Sequence, residues 1–227
     1  MNQPDAPIDL VVFDCDGVLI DSEPISFAVL RDALQRLGAR LSVQDVQRRF
    51  QGRSLSAVVS ELEAMGVAFG VEAQERMARE LQLRFESELQ AIEGMRALIK
   101  RLAVPACVAS SSHRHRLRHS LETAGLADLF GPRVFSADQV ARGKPAPDLF
   151  LLAARAMGAD PSRSLVVEDS VPGLIAARAA GMEAIAFTGG AHLADPFLRR
   201  SVERHAAIAC RDAGALRTIW EKRGLLQ

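Results

Sequence analysis

Apolar residues in this chain follow two different patterns. In the first, short unbroken runs end abruptly in polar residues: Leu10-Val11-Val12-Phe13, Ala106-Cys107-Val108-Ala109, Val134-Phe135 and Leu165-Val166-Val167. Runs of this length predict buried strands. The last three are each followed by a helix-length pattern, the alternation of a parallel sheet with crossover helices. In the second, between Ser22 and about Gln90, strand signals vanish and helices punctuated by Gly38, Ser42, Ser54 and Gly66 take over. From Glu93 onward the α/β alternation returns. It predicts a helix to Leu102, helices from His113 to Ala124 and from Asp148 to Gly158, a helix stopped by Gly181, and a further apolar run at Ala184-Ile185-Ala186-Phe187. The predicted architecture is an α/β fold with a doubly wound parallel-sheet, Rossmann-like core over 1–21 and 91–227. An all-helical cap domain over 22–90 is inserted after the first strand.

The polar residues at the strand ends carry the chemistry. In open parallel sheets, ligands gather beyond the carboxyl ends of the strands. Here those ends supply Asp14 and Asp16, then Ser110, then Lys144 in a loop, then Glu168 and Asp169. An ionised Asp14 is a competent nucleophile toward phosphorus once charge repulsion is neutralised. Lys144, one of three lysines in a chain otherwise rich in arginine, offers one compact cation. A divalent metal held by Asp14, Asp169, Glu168 and the main-chain carbonyl of Asp16 offers the other, and an all-oxygen donor set selects Mg2+ over zinc. Whether Glu168 touches the metal directly or through water stays open. Ser110 can donate to phosphoryl oxygens. Asp16, clear of the metal, can protonate the leaving alcohol and later activate water.

Charge narrows the partners. Lys plus Arg equals Asp plus Glu, so the formal net charge is zero and no bulk electrostatic pull toward nucleic acid or an anionic membrane exists. A small-molecule phosphate ester is the expected partner, with a monomer or weak dimer in the cytoplasm. No signal peptide or spanning helix is read in the sequence. Cys15, Cys107 and Cys210 read as buried thiols.

Asp-Xaa-Asp-Gly-Val-Leu-Xaa-Asp-Ser at 14–22, Ser110, Gly-Lys-Pro-Ala-Pro-Asp at 143–148 and Glu-Asp-Ser-Xaa-Xaa-Gly at 168–173 resemble, in order, the four motifs of the haloacid dehalogenase superfamily. The resemblance is to the phosphatase and phosphomutase branch with a helical cap, and it implies a phosphoaspartate mechanism with magnesium. The related sugar phosphomutases place a histidine where this chain has Ser26 and use a cap lysine; the 22–90 segment contains no lysine. Hydrolysis is therefore expected over isomerisation. The sequence around 49–52 and 85–94 resembles the branch of 6-phosphogluconate phosphatase and other sugar-phosphate phosphatases.

Several residues have two readings. Ser111 and Ser112 either meet substrate or begin a helix, with Ser112 a natural N-cap. His113 either reaches the far end of the substrate or is a surface residue. Gly52 and Arg53 form a loop suited to selecting substrate, and Arg53 equally reads as a surface residue beside a helix start. The rest of the His113-Arg114-His115-Arg116-Leu117-Arg118-His119 run reads as a solvated basic face.

Overall fold

Every residue of strand β1 (Leu10–Phe13) is shut off from solvent, and the same holds for β2 (Ala106–Ser110), β3 (Val134–Ser136) and β4 (Ser164–Glu168). This is why their sequences lack polar alternation: parallel strands with helices on both faces have no wet side. The protein is described by a computed structural model, which covers residues 7–50 and 55–227. With β5 (Glu183–Phe187) and β6 (Ile208–Cys210) the strands form one sheet in the order β3-β2-β1-β4-β5-β6, every pair parallel. From β1 the chain builds outward to β2 and β3, then returns to lay β4 on the other flank of β1. The loops after β1 and β4 thus leave the sheet at the point where strand order reverses.

The chain divides into two compact units, one of Met1–Asp21 with Gln90–Gln227 and one of Ser22–Leu89. The smaller contains helices α1 (Glu23–Arg36), α2 (Val43–Phe50), α3 (Leu55–Ala64) and α4 (Val71–Glu88). It has its own core, in which Phe27, Leu30, Leu34, Val46, Phe50, Leu62 and Phe69 are buried together. Gly38 and Gly66 follow α1 and α3 with φ of 86° and 78°, a conformation that ends a helix at no steric cost only for glycine.

The larger unit adds α5 (Met95–Ile99), α6 (Arg114–Thr123), α7 (Ala127–Phe130), α8 (Asp148–Met157), α9 (Val171–Ala179), α10 (Pro196–Glu203) and α11 (Ala213–Lys222). Leu10 and Val12 pack with Leu149, Phe150 and Ala176 from α8 and α9. Phe13 turns to the opposite face, where Phe130 and Trp220 meet it edge-on at 6.0 and 5.9 Å between ring centroids. Cys15, Cys107 and Cys210 are buried free thiols, as expected. None of the described helices is long and apolar enough to cross a membrane.

Two expectations need correction. The helix expected to reach Leu102 stops at Ile99, because Leu102 instead makes an antiparallel bridge with Leu226 near the C-terminus. Strand β6 was not anticipated. It is a three-residue edge strand with an exposed middle residue, too short to stand out as an apolar run.

Replacing Leu62, fully buried in the helical unit, by alanine is expected to cost about 2–5 kcal/mol in urea unfolding. A loss below about 0.5 kcal/mol, the range of surface substitutions, would contradict an independent core there.

Candidate active site

Asp14 is the first residue beyond β1, and its backbone N–H still donates to Val167 O of β4 at 2.9 Å. The side chain is thereby fixed at the sheet's edge beside the end of β4. Lys144, from the loop before α8, sends its ammonium between two acids, 2.5 Å from Asp14 Oδ1 and 2.7 Å from Glu168 Oε2. Its Nζ also lies 4.8 Å from the centre of the Phe150 ring. All three side chains are less than a tenth exposed. Burial works against the Lys144 charge, but the two carboxylates outweigh it and hold its pKa above the usual lysine value.

Asp169 completes the cluster: Asp14, Glu168 and Asp169 each bring a carboxylate oxygen within 4.8 Å of the others. Three buried carboxylates against one ammonium leave an excess of two negative charges. Burial, then the neighbouring Glu168 charge, push the carboxyls of Asp14 and Asp169 well above their ordinary range. A buried oxygen-rich cluster of this kind could hold a metal ion, which would supply the missing positive charge. Cys15 offers no sulfur ligand in its thiol form, since burial keeps its pKa well above the ordinary thiol value.

Two glycines make room for these acids. A Cβ on Gly173 would lie 2.0 Å from the Glu168 carboxyl carbon, and one on Gly17, where φ is 80°, would lie 1.9 Å from Asp169 Oδ2. Ser170 anchors Glu168 by donating from its N–H and hydroxyl to Oε1 at 3.0 and 2.6 Å, while its own oxygen caps α9 by accepting from Gly173 N. Both Glu168 oxygens therefore already hold protein donors.

Asp16 is held apart from this cluster's ammonium by different partners. Ser112 Oγ donates to Oδ2 at 2.8 Å, and Arg116 Nη2 donates to Oδ1 at 2.9 Å. The expectation of a wholly solvated face over 114–119 is thus corrected at Arg116, which α6 turns toward Asp16. The reading of Ser112 as an N-cap is also corrected. The helix begins at Arg114 with His113 at the cap position, and the capping oxygen comes from Asp138 Oδ2, which accepts from Arg114 N at 2.7 Å. Ser110, buried at the end of β2, accepts from Ser112 N at 3.1 Å, and Ser111 is exposed. His113 is largely exposed, with Nδ1 2.5 Å from Asp138 Oδ1. Gly52 and Arg53 lie outside the described residues.

One contributor had no counterpart in the sequence reading. His192, in the loop after β5, is buried with Nε2 2.9 Å from Asp169 Oδ2. A signal was present: the run ending at Phe187 is another strand followed by glycines and then a polar side chain, the arrangement that marked the other strand ends.

In metal-free protein, Asp14→Asn should raise the thermal midpoint at pH 7 relative to the parent. The sign follows from linkage. A carboxyl with a raised pKa binds protons more tightly when folded, so its contribution to stability falls as pH rises above the ordinary value of 3.8. The advantage of the asparagine should therefore shrink toward pH 4. A variant less stable at pH 7 than at pH 4, relative to the parent, would contradict this.

Comparison with known proteins agrees with the geometry. The family described as haloacid dehalogenase-like hydrolase matches residues 8–181. The 6-phosphogluconate phosphatase of Escherichia coli (strain K12) is 34% identical over 187 residues, 82% of this chain and 85% of that protein. A haloacid dehalogenase-like protein of unknown function from Agrobacterium tumefaciens strain C58 superposes with a TM-score of 0.85 at 33% identity, covering 96% of this chain and 99% of that one. A HAD family hydrolase from Deinococcus radiodurans R1, solved with bound phosphate and sodium, gives a TM-score of 0.83 at 32% identity over 98% and 99% of the two chains. The chain belongs to the haloacid dehalogenase-like hydrolase family, on its phosphatase branch.

Proposed function

We propose that this phosphatase hydrolyses a small phosphorylated sugar or sugar acid, such as 6-phosphogluconate, with Mg2+ and through a phosphoaspartate on Asp14. The observation that carries the reading is the buried meeting of Asp14, Lys144, Glu168 and Asp169 at the switch point of the sheet. The choice of a sugar acid draws on the E. coli relative named for that substrate.

Asp14 attacks phosphorus while Lys144, already against its Oδ1, offsets the charge that builds as two anions approach. Asp14 and Asp169 would hold the magnesium, together with the main-chain carbonyl of Asp16; bound there, it supplies positive charge to the phosphoryl oxygens and orients the nucleophile. Glu168, with both oxygens engaged by Lys144 and Ser170, would hold the Lys144 ammonium beside that site and add its charge to it. Ser110 donates its hydroxyl to the phosphoryl group. Asp16 gives a proton to the leaving alcohol and then takes one from the water that cleaves the phosphoaspartate. Ser112 and Arg116, one on each oxygen, hold its carboxylate in place. Ser111 and His113 lie along the substrate's outer side, and Gly52 and Arg53 are the candidates for selecting among esters.

The direct test is phosphate release, with magnesium, from a panel of phosphorylated sugars and sugar acids. 6-Phosphogluconate and its chemical neighbours should be the best substrates. Isomerised sugar phosphate without free phosphate would contradict hydrolysis.

Asp14→Asn should form no phosphoenzyme in rapid-quench experiments. Asp16→Ala should slow turnover of sugar phosphates by about 10²- to 10⁴-fold. On p-nitrophenyl phosphate, whose leaving group needs no proton, phosphoenzyme formation by the Asp16 variant should fall much less. Arg116→Ala should show the same leaving-group bias at smaller amplitude, and equal losses on both substrates would contradict a role through Asp16.

A further inference from the structure

The loop after β5 reaches back to the loop after β1 and places an imidazole behind Asp169. Ala191 N donates to Asp21 Oδ1 at 3.1 Å, and Leu193 N donates to Gly190 O at 3.0 Å, so the backbone on either side of His192 is tied down. The ring fills a slot that two glycines leave open. A Cβ on Gly17 would lie 2.6 Å from its Cε1, and a Cβ on Gly190 would lie 2.7 Å from both Cε1 and Nδ1. The His192 and Asp169 side chains are only 3% and 7% exposed, and Nε2 sits 2.9 Å from Oδ2.

We propose that His192 is a positioning residue for the cation site, donating from Nε2 to Asp169 Oδ2 so that Oδ1 is the oxygen presented to the metal. This rests on the reading that Asp14 and Asp169 hold a divalent cation. An ionised carboxylate only accepts hydrogen bonds, so with Asp169 on a cation the hydrogen of this contact belongs to Nε2. A carboxylate with one oxygen already bonded is fixed in rotation and has one oxygen left for the cation, the general way that groups behind a metal ligand raise affinity. The same geometry gives Asp21 a task. The last acid of the 14–22 motif anchors the backbone that carries His192. Gly17 acts in both places, since a side chain there would strike Asp169 and His192 together.

The test is calorimetric titration of Mg2+ into metal-free protein without substrate, with thermal unfolding of the metal-free variants as the control for folding. His192→Ala should bind Mg2+ about 10- to 100-fold more weakly. His192→Gln, whose side-chain amide can donate from a similar place, should recover most of that loss. Gly190→Ala keeps the imidazole but displaces it, and should weaken binding in the same direction, so the test does not depend on the alanine variant at 192 folding. In turnover assays the variants should need more magnesium for half-maximal rate, with the KM for the ester changed less than about 2-fold. Folded His192→Ala and Gly190→Ala variants that bind Mg2+ within about 2-fold of the parent would overturn the proposal while leaving the catalytic reading intact. A parent protein that binds no divalent cation would overturn both.

Discussion

Negative charge crowded into a space with little water is the constraint around which this molecule is organised. Asp14, Glu168 and Asp169 converge with one lysine, and the protein by itself does not balance them. Burial raises the cost of each charge, and each carboxylate raises the cost of the next. An arrangement that spends stability in this way is expected where function requires it. The imbalance is what makes a cation a fitting occupant of the cluster.

The fold makes the crowding possible. β1 and β4 are hydrogen-bonded neighbours in register from Leu10–Ser164 to Phe13–Val167, so the residues that follow them emerge side by side. Because the sheet is buried on both faces, its apolar residues can hold those ends rigidly without competing for polar partners. Ser170 shows the economy of the arrangement, since one hydroxyl caps α9 and also holds Glu168. Gly17 and Gly173 contribute by what they lack, giving up their side chains where carboxylates need the volume. Asp16 has different hydrogen-bond partners, Arg116 and Ser112 from α6 and its approach, although its charge is still felt at Asp169. Two aspartates two residues apart are thus given different partners, the condition for giving them different tasks.

Lys144 stood out as one of three lysines and the helical insertion by the loss of strand signals, while the parallel sheet and the placement of Asp14, Glu168 and Asp169 were legible because the strand runs change abruptly from apolar to polar character. That change has a simple physical cause at the end of a buried strand. What escaped needed tertiary structure to give it a place, even where, as at His192, a strand-end signal was present. Arg116 lies in a run of arginines and histidines of which Arg114, His115 and Arg118 are exposed and His119 is half-buried, and nothing in the spacing says which one turns toward Asp16. His192 depends on contacts with Gly17, Gly190 and Asp169, residues brought together only by tertiary structure. The N-cap reading of Ser112 failed for the opposite reason. The local pattern favoured a serine cap, but Asp138, 24 residues from Arg114, supplied the acceptor instead.

Crystals soaked in manganese and measured for anomalous scattering test whether the carboxylates after β1 and β4 form one cation site. The account predicts a strong peak in contact with the carboxylates of Asp14 and Asp169. A structure in which those side chains keep their places while manganese binds elsewhere, or not at all, would contradict it.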